Sequence, residues 1–206
     1  MYTPQHYKNE NSDEVREFIK ANSFGILISQ TKGRLWGTHI PMELDFDEKG
    51  NAILYSHISK ANPQWESFAD GEEVLAIFHG PHSYVSSSWY QKEDVPTWNY
   101  IAVHAYGKVQ IIEGKELMDS LKKLVDHYEH ASEHPVSVEN LSEKTMRQVN
   151  GIVGFKISIS EIQATYKLSQ TRKDTDFHTI VGQLESSPDF MSKATAEAMK
   201  QSREKE

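Results

Sequence analysis

The chain has 206 residues, and 22 Lys and Arg set against 30 Asp and Glu leave a net charge of −8 with histidine neutral. It contains no cysteine, which excludes disulfide scaffolds, thiolate zinc sites, iron–sulfur clusters and cysteine nucleophiles. The longest apolar runs, Phe24–Ile28 and Val74–Phe78, fall far short of the roughly 18 residues of a bilayer span. The Met1–Glu10 opening is polar, without a signal-peptide core, so a soluble, cytoplasmic globular protein is expected. An acidic balance also weighs against an extended nucleic-acid surface, which needs clustered Lys and Arg.

The first predicted helix starts at Asn11, with Glu14 three residues on as in a capping box and Val15, Phe18 and Ile19 on one face. Strands follow at Phe24–Ser29 and Leu35–Pro41 around a turn at Gly33, then at Ala52–His57 after the Asp47–Asn51 turn. Asn62-Pro63 opens a short helix, because proline suits a first helical turn. Val74–His79 reads as a strand, Gly80–Pro96 as a proline-bounded loop, and Thr97–Ile112 as a long strand. Leu117, Leu121, Leu124, Val125 and Tyr128 keep helical spacing from Lys115 to about His130. Asn140 with Glu143 predicts a second capping box, for a short helix ending near Val149. Phe155, Ile157 and Ile159 alternate with polar residues as in a half-buried strand. Phe177, Ile180, Val181 and Leu184 mark a helix, and Ser187-Pro188-Asp189 opens a last one. At least six strands joined mostly by short connections favour an α+β, mainly β fold: one antiparallel barrel domain over 1–206 with flanking helices.

Two segments carry candidate chemistry. Tyr84–Tyr106 holds six of the 21 aromatic residues among hydroxyls, an amide and His104. It suits either the wall of a planar-ligand pocket or a lid whose tryptophans anchor the core. His57–Pro63 puts a hydroxyl, an ammonium and the N–H groups of a helix start together, a phosphate cradle or simply a capped helix beside a solvated lysine. His127, His130 and His134, near a helix end, read as favourable for the helix dipole, and no metal is expected there. His79 and His82 flank Gly80-Pro81 and read as hydrogen-bonded loop imidazoles, with haem ligation the weaker reading. No Gly-x-Ser-x-Gly elbow, P-loop or Gly-x-Gly-x-x-Gly fingerprint occurs.

His57–Pro63, the run Gly80-Pro81-His82-Ser83-Tyr84-Val85-Ser86-Ser87-Ser88-Trp89-Tyr90, the blocks Val95–Tyr100 and Val103–Gly107, and Lys167-Leu168-Ser169-Gln170-Thr171-Arg172 closely resemble the PaiB family. The resemblance runs from Met-Tyr-Thr-Pro to about Leu184. It implies an FMN-binding split barrel related to pyridoxamine-phosphate oxidases, a homodimer with the flavin site across its two-fold interface, and negative regulation of protease synthesis and sporulation. It further implies that His57, Ser59 and Lys60 hold the FMN phosphate, with Asn62 at the following helix start. Thr38 and His39 would lie beside the flavin, Thr97, Trp98 and Asn99 would line the ring edge, and Gln170 and Arg172 would close the site. The chain departs from the family in having Ser86-Ser87-Ser88 for Ser-Pro-Ser and Thr171 for asparagine.

Three functions follow as expectations: a regulator, an FMN-dependent oxidoreductase, or a non-catalytic flavin- or haem-binding sensor. Lys193, Lys200, Arg203 and Lys205 alternate with Glu197, Glu204 and Glu206, a solvated helix face more than a phosphate-binding stripe. A regulator of this kind is therefore expected to act indirectly, through a small molecule or a protein partner. A small barrel with uncovered apolar faces is also expected to pair as an isologous homodimer.

Overall fold

The computed structural model describes residues 1–204, except the side chains of Ala69 and Asp70. The strands are β1 (Phe24–Thr31), β2 (Arg34–Pro41), β3 (Glu43–Phe46), β4 (Ala52–Ser59), β5 (Glu73–Val85), β6 (Thr97–Ile112) and β7 (Ile152–Lys167). The helices are α1 (Ser12–Ala21), α2 (Gly114–Glu129), α3 (Glu143–Met146), α4 (Asp174–Glu185) and α5 (Phe190–Arg203), with short 3-10 turns between. One sheet holds the strands in the order β2-β1-β5-β6-β7-β4-β3. The chain divides into two compact units. Unit 1 takes Met1–Asn22, Phe78–His104 and the residues from Gln163 onward; unit 2 takes Ser23–Ile77 and Ala105–Ile162.

In unit 2, Lys32 and Gly33 have φ of 52° and 73°, so a two-residue turn with both centres left-handed joins β1 to β2. β1 pairs antiparallel with β2 and β5, and β4 with β3 and β7. The core gathers Leu27, Met42, Leu54, Ile157 and the tilted ring pair Phe68–Phe155, whose centroids lie 5.0 Å apart. α2 is amphipathic, yet none of its residues is fully buried. Polar pairs tether it to the strands: Glu116 to Lys156 at 2.9 Å, His127 to Glu43 at 2.7 Å, Tyr128 to Ser23 at 2.5 Å, and Lys123 to Asp45.

In unit 1, Asn11 caps α1 by accepting from the backbone N–H of Asp13 and Glu14. The Asn11 N–H donates to Asn9 Oδ1 at 2.9 Å, and the Glu14 carboxylate takes Asn9 Nδ2 at 2.9 Å. α4 buries Phe177, Ile180, Val181 and Leu184, and α5, capped by Asp189, buries Ala196 and Met199. Gly80 belongs here for steric reasons, since a Cβ would stand 2.5 Å from the ring of Phe18.

Three expectations are corrected. The segment Gly80–Val85 is strand, not loop: buried positions recur at Gly80, Ser83 and Val85, with the alternation slipping once at Pro81-His82. A proline dipeptide therefore shifted the phase of β5 without ending it. The cap of α3 is Ser142, which accepts from Thr145 N at 3.3 Å, and Asn140 closes a preceding 3-10 turn. The strand read at residues 155–160 continues to Lys167, because Ala164, Thr165 and Tyr166 are all buried and blur the two-residue period.

Candidate functional site

The residues expected to hold a ligand fall into two groups, one in each unit. In unit 2 the group is built where β4 ends. Register sets His57 opposite Gly154, and Leu117 of α2 lies against that glycine, where a Cβ would come within 2.4 Å of it. His57 therefore sits on the face that α2 covers. Burial pushes its imidazole below the ordinary value, so it is neutral near pH 7 and offers one N–H and one lone pair.

Past Ser59 the chain turns into the 3-10 helix Pro63–Asp70, with Pro63 in its first turn and Asn62 as its cap. The backbone amides of this turn are already used. Lys60 N donates to Gly151 O at 2.9 Å, Ala61 N to Ser59 Oγ at 3.2 Å, Asn62 N to Ser59 O at 2.9 Å, and Gln64 N to Asn62 Oδ1 at 3.1 Å. The expected cradle of open helix-start amides is thus corrected: what the turn presents outward is side chain. The Trp65 indole, donating to Lys60 O at 2.9 Å, pins it further. Among the described residues no carboxylate is paired with Lys60, and the Ser59 hydroxyl still has its proton to give.

Thr38 and His39 part company. Thr38 Oγ1 donates to Gln64 Oε1 at 2.5 Å and accepts from Asn62 Nδ2 at 2.9 Å. Gln64, 0% exposed, donates to Ser29 Oγ at 3.1 Å and to the carbonyls of Leu27 and Trp36 at 3.3 Å each. This amide was missed in the sequence, where Asn62-Pro63 drew attention one position too early; a glutamine beginning a helix between two hydrophobic strands was the available signal. His39 points the other way, opposite Ile26 on an exposed face.

In unit 1 the group surrounds the Lys167–Arg172 segment. Ser169 is held at φ 61°, a left-handed conformation that a serine adopts only at a cost. Asn99, 0% exposed, stabilises it: its Nδ2 donates to Ser169 Oγ at 2.9 Å and approaches the Met199 sulfur at 3.3 Å, and Ser169 Oγ returns a bond to Asn99 Oδ1 at 3.1 Å. Gln170 is spent on the same turn, taking Leu168 N at 2.8 Å and donating to Tyr166 O. Arg172 is committed as well, to Asp94 at 2.6 Å and over the ring of Tyr90 at 4.1 Å. Asp176 accepts Gln91 N at 2.9 Å, so the 86–96 loop is latched at two points. Thr97 accepts from Lys167, whose ammonium burial and neighbouring Arg172 hold below its ordinary pKa. Trp98 is half exposed, with the rings of Tyr84 and His82 at 6.0 and 6.4 Å. His82 Nδ1 lies 3.2 Å from Gly80 O.

Of the histidines near the end of α2, His127 is engaged with Glu43, and His130 with the carbonyl of His127 at 2.6 Å. On α5, Lys200 pairs with Glu185 and Glu197, both at 2.9 Å, and Arg203 with Asp174. The expected Lys205 and Glu206 of that face lie outside the described residues. No helix among the described residues is long and apolar enough to cross a membrane.

A flavin phosphate fits the unit 2 group. It would be held by the Lys60 ammonium and the Ser59 hydroxyl, on a turn fixed by Asn62, Gln64 and Trp65.

Residues 1–161 match the family model FMN_bind_2, described as "Putative FMN-binding domain". The chain is 42% identical over 201 residues to "Protease synthase and sporulation protein PAI 2" of Bacillus subtilis, covering 97% of this chain and 96% of that protein. A protein of Emericella nidulans is 28% identical, with 90% of each chain covered. Among solved structures, the FAD and heme binding protein of Mycobacterium smegmatis superposes with a TM-score of 0.59 at 12% identity, covering 84% of this chain and 79% of that one. The flavocytochrome Anf3 of Azotobacter vinelandii gives 0.59 at 13%, covering 86% and 78%. Those two likenesses carry the fold, a split barrel of antiparallel strands with flanking helices, and the family match carries the rest: this chain belongs to the FMN-binding domain family, alongside PAI 2.

Proposed function

We propose that the chain is an FMN-holding regulator that lowers protease synthesis and sporulation, acting as a cytoplasmic homodimer and by an indirect route. The observation that carries this reading is the 42% identity to PAI 2 along nearly the whole of both chains. When bound, FMN supplies a ring that accepts and returns electrons. Lys60 neutralises its phosphate, Ser59 donates to a phosphate oxygen, and the Thr38–Asn62–Gln64 network keeps the turn from moving. His57, neutral under α2, supplies no charge to the phosphate.

Two features support the finer points. The basic residues of α5 that pair with acids leave little free charge for DNA phosphates, which favours action through a ligand or a protein partner. Register puts Phe24, Ile26, Ile28, Leu75 and Ile77 on one face of β1 and β5, continued by Leu35 of β2. Phe24 and Leu35 are 66% and 76% exposed, an apolar surface suited to a second copy.

The deciding experiment is an absorbance spectrum of the purified protein, with denaturation and identification of whatever is released. A flavin band from FMN near one per chain supports the reading. A colourless protein that refuses added FMN overturns its cofactor half. A Soret band points to the haem-binding sensor instead. The family's redox cofactor favours FMN-dependent oxidoreductase as the second reading, and steady consumption of reduced nicotinamide would establish it. Light scattering near 23.6 kDa, the mass of one chain, would remove the dimer. Raised expression in a sporulating host that leaves secreted protease and spore counts unchanged would remove the regulatory role.

A further inference from the structure

β6 and β7 are hydrogen-bonded neighbours in the sheet, yet residues 113–151 of unit 2 lie between them in the chain. About two to five residues suffice to join neighbouring antiparallel strands, so the sheet does not need this excursion. It runs through α2, a 3-10 turn at Val138–Asn140, α3 and a second 3-10 turn at Arg147–Gly151. Among the described residues of the excursion, Val138 alone is buried.

The excursion coheres within itself. The turn Val138–Asn140 packs against α2. The Glu129 carboxylate accepts Val136 N at 2.9 Å, and Lys122 reaches Glu139 at 3.7 Å. Its hold on the strands is of another kind. Leu117 lies against Gly154, and the rest is the set of polar tethers Glu116–Lys156, Lys123–Asp45, His127–Glu43 and Tyr128–Ser23. The first two are ion pairs near the surface, where salt screens them.

Two observations show that α2 is loosely seated. A cleft of about 380 Å³ lies between Tyr55 and the α2 side chains Glu116, Ser120 and Lys123. On β3, Glu43 Oε1 is buried with no hydrogen-bond partner among the described residues, while Oε2 takes His127. A buried carboxylate oxygen without a donor opposes the closed arrangement, and lifting α2 returns it to water. The far end of the excursion meets the Lys60 turn: Lys60 N donates to Gly151 O at 2.9 Å, and β7 begins at Ile152 opposite Ser59.

We propose that residues 113–151 form a strap that detaches as one unit from strands that stay folded, and that the turn carrying Lys60 loosens with it. The strap does not depend on what Lys60 binds. An anion that binds only the ordered turn favours the closed strap, because binding and closure are linked reciprocally.

The test is backbone amide hydrogen exchange of the full chain at neutral pH, without ligand, followed by NMR. Amides of α2 should exchange through an opening that leaves those of Leu54 and Ile157 protected. Glu116→Gln combined with Lys123→Gln removes two tethers and should speed exchange through α2 about tenfold, the loss expected for two surface pairs. The Lys60 amide should speed up by the same factor, and Leu54 and Ile157 should not. Lys115→Gln breaks only a pair within α2, to Asp119, and should leave exchange nearly unchanged. About 1 M NaCl, where the screening length falls to roughly 3 Å, should speed α2 in the wild type and do less in the double variant. The strap is overturned if α2 exchanges as slowly as Leu54 and Ile157, or if the double variant behaves like Lys115→Gln. Its link to the turn is overturned if the Lys60 amide keeps its wild-type rate while α2 speeds up.

Discussion

The turn at residues 57–64 and the turn at residues 166–172 each join a strand end to a buried amide, and each carries a basic side chain. They use those parts oppositely. In the first, the amides of Asn62 and Gln64 and nearly every backbone N–H are consumed by the turn and the strands beside it, while among the described residues Lys60 has no carboxylate. In the second, Asn99 props a left-handed serine, and Arg172 is bound to Asp94 and stacked on Tyr90. A basic residue already satisfied within the protein fastens the fold; one left unsatisfied on a rigid base is available to an anion. Both places set a basic side chain beside a buried amide, and the partners tell them apart.

The largest test of that contrast is Gln64→Leu. It strands the Thr38 hydroxyl and removes the donor shared by two strand carbonyls, so a loss of about 3 kcal/mol is expected, read as a melting temperature lower by roughly 6–12 °C. Next comes Ser169→Ala, which keeps the left-handed backbone but forfeits both bonds to Asn99, at about 1–2 kcal/mol. Ser169→Gly should lose less, since glycine adopts φ 61° without strain. If the two variants melt together, the strain assigned to Ser169 is wrong.

Acid should also destabilise the protein. The folded pKa of His57 lies below its ordinary 6.5, so the unfolded chain binds the proton more readily. The stability this contributes is present above about pH 6.5 and is lost as pH falls toward the folded value. His104, likewise lowered by burial, adds in the same direction. Melting curves from pH 8 to 5 should slope downward, and His57→Gln should flatten part of that slope.

The smallest structural effects belong to the two cations. Asp94→Asn breaks a half-exposed ion pair and should cost under about 1 kcal/mol, loosening the 86–96 loop toward proteolysis. Lys60→Ala should leave the melting temperature almost unmoved yet weaken FMN binding about tenfold, consistent with a lost charge-assisted contact. Equal loss of FMN in both variants would erase the contrast.

Much of the architecture could be read from the chain. Asn11, the Gly33 turn, Pro63 and Asp189 announced their elements because capping and turn chemistry are local. The two-residue alternation of Phe155, Ile157 and Ile159 was legible where one face of β7 is exposed, and it vanished where both faces are buried. The candidate site was legible as segments, through the motifs around Lys60, Trp98 and Arg172. What each side chain does there was not, because Gln64, Asp94 and Tyr90 act across 26 to 82 residues of sequence. Adjacent positions hid a similar difference: Thr38 and His39 look alike in a motif, and a strand sends them to opposite faces.

The sheet ends on β2 and β3, and this bears on how the protein survives crowding. β3 has four residues, too short to template another chain. β2 has eight, opened by Arg34, interrupted by Gly37 and closed by Pro41, which has no N–H to offer. A foreign strand could pair with only a few residues in its middle. The same molecule that displays Phe24 and Leu35 on its face thus denies its border to fibril growth, so a loss of Pro41 would be felt first as insoluble protein and only later as lost function.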